Sequence, residues 1–209
     1  MRSDEQTLST KERRAAQAEA TRAAIVDAAR RLFVAKGYHR TATEEVVVEA
    51  GVGTRGALYH HFADKRALFE AVFIDVEEEL VAHAGAGAGA RPAGSALNRL
   101  RQALIGFLDA SLTPSVQQIL LIDGPAVLGW EKWRELEGHY GLGAIRGMLE
   151  NAVAEGHLAA DQPIDALAHV LLAATDEAAL FIANAPDPYA ARDQGVQVLN
   201  TLLDGLRTR

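Results

Sequence analysis

Apolar residues recur at three- and four-residue steps along almost the whole chain. Nowhere do they alternate with polar ones in the two-residue rhythm of a half-buried strand. A chain patterned this way buries its stripes only by packing helix against helix, so the fold class is all-α. In "TRAAIVDAARRLFVAKGY", Ile25, Ala28, Leu32 and Phe33 recur at helical spacing while Arg30, Arg31 and Lys36 lie on other faces. Gly37 stops this helix, and Thr21 can cap it unless it extends back through "KERRAAQAEA". "TATEEVVVEAG" reads as a short second helix, with Thr41 and Glu44 at capping-box spacing, Thr43 as an alternative cap and Gly51 at the end. Its three valines favour a strand by propensity, but the cap signals outweigh them. "TRGALYHHF" is a third helix capped by Thr54, and Asp64 opens a long fourth. The Gly- and Pro-rich "GAGAGARPAG" (85–94) reads as a flexible loop. Segments near 95–111, 115–122, 130–155, 163–184 and 188–206 follow, with Pro114, Pro125, Pro163, Pro186 and Pro188 as joints. The total is about nine helices, in a small N-terminal module and a larger body.

Composition removes several classes of function. The 209 residues are 49% hydrophobic and 23% charged, so the chain can bury a core and does not read as disordered. The absence of cysteine excludes a disulfide scaffold, a thiolate metal site and cysteine catalysis, and it fits a reducing cytoplasm. "MRSDEQTLSTKERRAAQAEA" lacks the apolar core of a secretory signal. The most apolar segment, near 164–183, is broken by Asp165, His169, Asp176 and Glu177, which argues against a membrane span. The expectation is a cytoplasmic protein with no membrane partner.

Net charge is −7, yet it is unevenly spread. Residues 1–66 hold 12 Lys+Arg against 9 Asp+Glu, whereas 67–209 hold 9 against 19. A basic head on an acidic body suits a protein that brings one end to a polyanion. Two short helices joined by a glycine-containing turn are what a helix-turn-helix requires. The second helix buries Leu58 and Phe62 and leaves Arg55, Gly56, Tyr59 and His60 on the remaining surface. Gly56 and Ala57 are small enough to let the helix sit deep in a major groove. Arg55 suits a bidentate contact with guanine, and Tyr59, His60 and Lys65 suit phosphate oxygens. The N–H groups of Thr54, Arg55 and Gly56 would face phosphate as well. The adjacent His60 and His61 diverge on a helix and lack a partner at ligand spacing, so no metal site is expected.

"TATEEVVVEAGVGTRGALYHHFADKRALFEAVF" resembles the DNA-binding module of the TetR (tetracycline-repressor-like) family of bacterial transcription regulators, from about Thr21 to Val76. The "LYHHF..K..L" portion at Leu58–Leu68 carries most of the likeness. The resemblance implies a homodimer of all-α subunits that binds a palindromic operator in double-stranded DNA. It further implies three N-terminal helices on the operator and a body holding a small-molecule effector, with no cofactor. It gives Thr43 and Tyr59 phosphate contacts, makes Lys65 a backbone anchor, and lays Thr54, Arg55, Gly56 and Ala57 in the groove. One departure stands out: "GTRGALY" has one residue more than the family spacing, and Gly53 looks inserted into the turn.

The domains expected are a basic arm or helix extension over 1–20, where Lys11, Arg13 and Arg14 sit, a DNA-binding module over 21–66, and a ligand-binding and dimerisation domain over 67–209. Leu167, Val170, Leu171 and Phe181, with Leu199, Leu202 and Leu206, form stripes suited to a four-helix dimer seam. Both tryptophans, Trp130 and Trp133, together with Phe107, His139, Tyr140, Arg146, Asp176 and Glu177, are candidates for a ligand pocket. An acid inside an apolar helix needs a partner, and Arg134 or Arg146 could supply one. Two alternatives stand beside a ligand-released repressor. One is a regulator, repressing or activating, whose body answers to a protein; the other is an all-α hydrolase using His139 with Asp176 or Glu177. The hydrolase lacks a nucleophile elbow, a metal signature and a phosphate loop, so no catalytic residue is expected.

Overall fold

The computed structural model describes residues 10–89 and 94–208. They divide into two compact units that meet at Val72 and Phe73. Among them are ten α-helices and two π-helical stretches, which join end to end into nine continuous helical runs with no strand. The all-α expectation is met.

The first unit holds α1 (Thr10–Lys36), α2 (Thr43–Glu49), α3 (Arg55–His61) and the start of α4 (Lys65–Gly89). Helix α1 takes in residues 10–20, and those before them lie outside the described region. Thr21 therefore does not cap it. Its hydroxyl donates 2.9 Å to the Gln17 carbonyl, deep in the helix. Ile25, Ala28, Ala29 and Phe33 are fully buried, joined by Val46 and Val47 of α2, Leu58 of α3, and Leu68, Phe69 and Val72 of α4. Of the three valines only Val48 faces solvent, which is how a helix, not a strand, would divide them. The cap of α2 is Ala42, and the Glu45 carboxylate accepts from its N–H at 3.1 Å. The expected Thr41–Glu44 box does not form, because the Thr41 hydroxyl turns inward to the Gly37 carbonyl at 3.0 Å. Asp64 caps α4 through the Ala67 N–H at 2.7 Å.

The second unit continues α4 and adds α5 (Ala96–Ala110), a π-helix (Val116–Asp123) running into α6 (Gly124–Leu128), and α7 (Trp130–Glu137). A second π stretch (Gly138–Leu142) leads into α8 (Gly143–Ala154), followed by α9 (Ile164–Asn184) and α10 (Pro188–Gly205). The segment expected as a loop from residue 85 is helical to Gly89, since alanine favours the helix and no proline intervenes before Pro92. Residues 90–93 of that expectation lie outside the described region. Pro125 stands in the first turn of α6, where the π stretch passes into the α-helix without a break. The Trp133 indole N–H donates to the Leu120 carbonyl at 3.2 Å.

Helices α5, α8, α9 and α10 pack on one another, burying Leu97, Leu100, Leu108, Leu149, Ile182 and Leu203. The Asp187 carboxylate caps α10 by accepting from the N–H groups of Tyr189 and Ala190, with Pro188 opening the first turn. Helix α9 is long and apolar enough to cross a membrane, but it packs against α5, α8 and α10 and buries Asp176 within the unit.

Candidate nucleic-acid interface and ligand cavity

Helix α3 takes its position from the turn before it. Gly51 and Gly53 both adopt positive φ, +67° and +76°, where a side chain would be strained. The additional residue is thus absorbed in the left-handed region. It leaves Thr54 extended, its hydroxyl accepting from the Ala57 N–H at 3.3 Å as the N-cap. From Arg55 onward the helix is regular. Replacing Thr54 with alanine is expected to cost about 1 kcal/mol of stability, read as a lower urea midpoint. An unchanged midpoint would mean the turn holds α3 without its cap.

Leu58 faces the core and Phe62 closes the helix beneath it. Arg55, Gly56, Tyr59 and His60 are exposed on the other side, and Ala57 is half-buried between the two faces. A Cβ built on Gly56 would meet only the Thr54 hydroxyl, at 3.7 Å, so space does not require a glycine there. The Tyr59 phenol lies 3.5 Å from the hydroxyl of the buried Thr43, with the Arg55 guanidinium over its ring at 5.9 Å. Those two neighbours hold the phenol below its usual range. Lys65 is half-buried. Its amine donates to the Tyr38 carbonyl and sits 4.1 Å from the centre of the Tyr38 ring, tying the start of α4 to the α1–α2 turn.

The base-reading candidate is already engaged. The Arg55 guanidinium pairs with Glu44 at 2.8 Å, both side chains more than half exposed. From sequence Glu44 was read only as a capping partner of Thr41, although its place in the first turn of α2, beside α3, could have marked it. Its carboxyl is held low first by its own backbone N–H and then by Arg55. Glu44→Gln is expected to tighten duplex binding a few-fold at low ionic strength, with the gain fading as salt screens it. Gel shifts at two salt concentrations test this. Weaker binding would instead mean that Glu44 positions Arg55.

In the second unit a cavity of about 240 Å³ opens among α4, α5, the π stretches, α8 and α9. Its walls are apolar, with Leu104, Phe107, Leu120, Ile145 and Met148 among them. Its polar groups are mostly acids. Glu77, Glu137 and Asp176 line it, each 7% exposed, beside Thr175 and Tyr140. Arg134 sits behind them, 3.0 Å from Glu137 and 3.5 Å from Asp176. Burial raises all three carboxyls. Glu77 goes to about 7 and Glu137 to about 8, each also pushed by the charge of Asp176, while Asp176 reaches about 6 with Arg134 opposing the rise.

Three of the eight pocket candidates, Phe107, Tyr140 and Asp176, lie on this cavity. The other five do not. Trp133 is buried beneath α6, and Trp130 is 62% exposed. Their rings clasp the Arg134 guanidinium at 5.2 and 5.0 Å, so the pair serves a cation of the protein itself. His139 is exposed and stacks edge-on against Tyr140. Arg146 points to solvent and pairs with Asp165 at 2.9 Å, leaving Arg134 as the partner of Asp176. Glu177 is exposed and, with Phe181, borders an open depression of about 600 Å³ along α9 and α10. Glu77 and Glu137, which the sequence reading passed over, take the places on the cavity.

The seam candidates divide as well. Val170, Phe181 and Leu202 are 63%, 52% and 49% exposed, with Val198 beside them, whereas Leu171 and Leu199 are buried in the subunit core. Leu167 and Leu206 are half-buried. A stripe broad enough to face two ways splits between core and surface. Among the described residues, no group of three or more His, Cys, Asp or Glu side chains is placed to hold a metal.

A glycine-hinged helix pair with an exposed polar face, followed by a separate helical unit, defines a helix-turn-helix type of DNA-binding protein. Similarity to known proteins narrows this. Residues 25–72 match the model for bacterial regulatory proteins of the tetR family, and residues 97–206 match a tetracyclin repressor-like C-terminal domain. The chain belongs to the TetR family of transcriptional regulators, which are not enzymes, and the hydrolase alternative finds no support. It is 32% identical to a TetR-family transcriptional regulator from Pectobacterium atrosepticum, whose crystal structure superposes with a TM-score of 0.79. That match covers 93% of this chain and 97% of the other. The HTH-type transcriptional repressor BepR of Brucella suis is 29% identical over 76% of this chain and 78% of its own. The regulator AcrR of Shigella flexneri is 35% identical over 50% of this chain, a match spanning 48% of AcrR.

Proposed function

We propose that this chain is a cytoplasmic repressor that binds a palindromic operator as a homodimer and releases it when a small molecule occupies the cavity. The observation that carries the reading is the exposed Arg55–Gly56–Tyr59–His60 face of a helix capped by Thr54 and set by a glycine turn. Family membership and the likeness to a named repressor support it. Val170, Phe181, Val198 and Leu202, large apolar side chains left in water on α9 and α10, are the surface a second copy would cover. Two reading helices related by a two-fold axis reach half-sites about 34–36 Å apart only in one arrangement of the subunits. A ligand that prefers another arrangement releases the DNA by that difference in affinity.

Selection of bound duplexes from a random library tests this. An inverted repeat should be enriched, and enrichment of a single unrepeated site, or of none, would oppose the reading.

A further inference from the structure

The charge balance of the cavity indicates what fills it. Glu77 projects from α4 among Leu80, Leu104 and Phe107 and makes no hydrogen bond or ion pair with another described residue. It is 93% buried, being 7% exposed. No fully sealed polar side-chain atom among the described residues lacks a partner, so this unpartnered carboxyl opens onto the cavity it lines. Among the described residues, Glu137 and Asp176 share one guanidinium, that of Arg134, which does not itself line the cavity. Helices α5 and α8 contribute apolar groups alone. Tyr140 is turned to the exposed Glu78, which does not line the cavity. Among the described residues three carboxyl groups thus stand beside one cation, and a buried carboxylate without a counter-ion is costly.

We propose that the effector is a hydrophobic monocation, an amine or quaternary ammonium with a hydrocarbon or aromatic body, whose charge is countered by the Glu77 carboxylate while its body fills the cavity. This rests on the reading of the cavity as the effector site. Without such an occupant, Glu77 answers burial and the nearby Asp176 by holding its proton to about 7. A cation then binds by displacing that proton.

Calorimetry on the full chain tests the proposal with benzyltrimethylammonium and its neutral carbon isostere, neopentylbenzene. The cation should bind at least about tenfold tighter than the isostere at pH 8. Glu77→Gln should erase that preference while the isostere still binds, and Glu150→Gln, on the exposed side of α8, should retain it. Because the ammonium does not titrate, its affinity for the unaltered protein should weaken from pH 8 to pH 6 as Glu77 takes up its proton, and Glu77→Gln should make that slope shallower, with Glu137 and Asp176 supplying what remains. Equal binding of cation and isostere, or a preference that survives Glu77→Gln, would overturn the assignment. Binding that depends on Glu77 but leaves operator affinity unmoved would overturn the cation's role as effector. Failure to bind any operator would count against the repressor reading instead, and the calorimetry would still judge the site.

Discussion

Phe69→Ala is expected to unfold the DNA-binding unit at temperatures the unaltered protein tolerates. Phe69 is fully buried, and its ring lies 5.5 Å from Phe33 and 5.3 Å from Tyr38, an aromatic cluster joining α1, α4 and the turn between α1 and α2. Truncating a buried phenylalanine costs about 3–5 kcal/mol, because lost contacts and the cavity left behind add together. Whole-domain stabilities are only about 5–15 kcal/mol, so such a loss takes a large share of what holds the unit. Amide exchange should show residues of α1–α3 losing protection while α5, α8, α9 and α10 keep theirs, and duplex binding should fail in parallel. Uniform loss of protection across both units would mean that they fold as one.

Arg55→Ala should lower operator affinity by roughly ten- to a hundredfold and relax the choice of one base per half-site. The side chain stands at the first position of α3, exposed, with its guanidinium over the Tyr59 ring. Thermal stability should therefore barely move. The arginine must leave Glu44 to reach a base, which subtracts from its gain, so the combined Glu44→Gln, Arg55→Ala variant should be no weaker than Arg55→Ala alone. Competition with mismatched operators checks the specificity. A uniform loss over all sequences would make Arg55 a phosphate contact.

How much of this was legible follows from the range of the signals. Helix starts are local, and where a hydroxyl or carboxylate stood free to turn back on the chain, as at Thr54 and Asp64, the reading met the structure. Thr41 misled because a deeper carbonyl claimed its hydroxyl. The exposed face of α3 was legible since Leu58 and Phe62 leave it nowhere else to point. The cavity was not. Glu77 sits in "DVEEEL", which looks like a solvated run, although it lies four residues after the buried Phe73 and three before the buried Leu80. That spacing turns Glu77 inward. Trp130 and Trp133 suggested a ligand wall by composition, but only the fold reveals that they clasp Arg134. Leu171 and Leu199 likewise could not be told from Val170 and Val198 without knowing which side of α9 and α10 meets the core.

Guanine-methylation interference on the selected operator tests the central claim most directly, since N7 methylation blocks the major groove at the atom a bidentate arginine needs. The account predicts interference at one symmetry-related guanine in each half-site for the unaltered protein, and none at those guanines for Arg55→Ala. Identical interference patterns for the two proteins, or no retained duplex at low ionic strength, would contradict it.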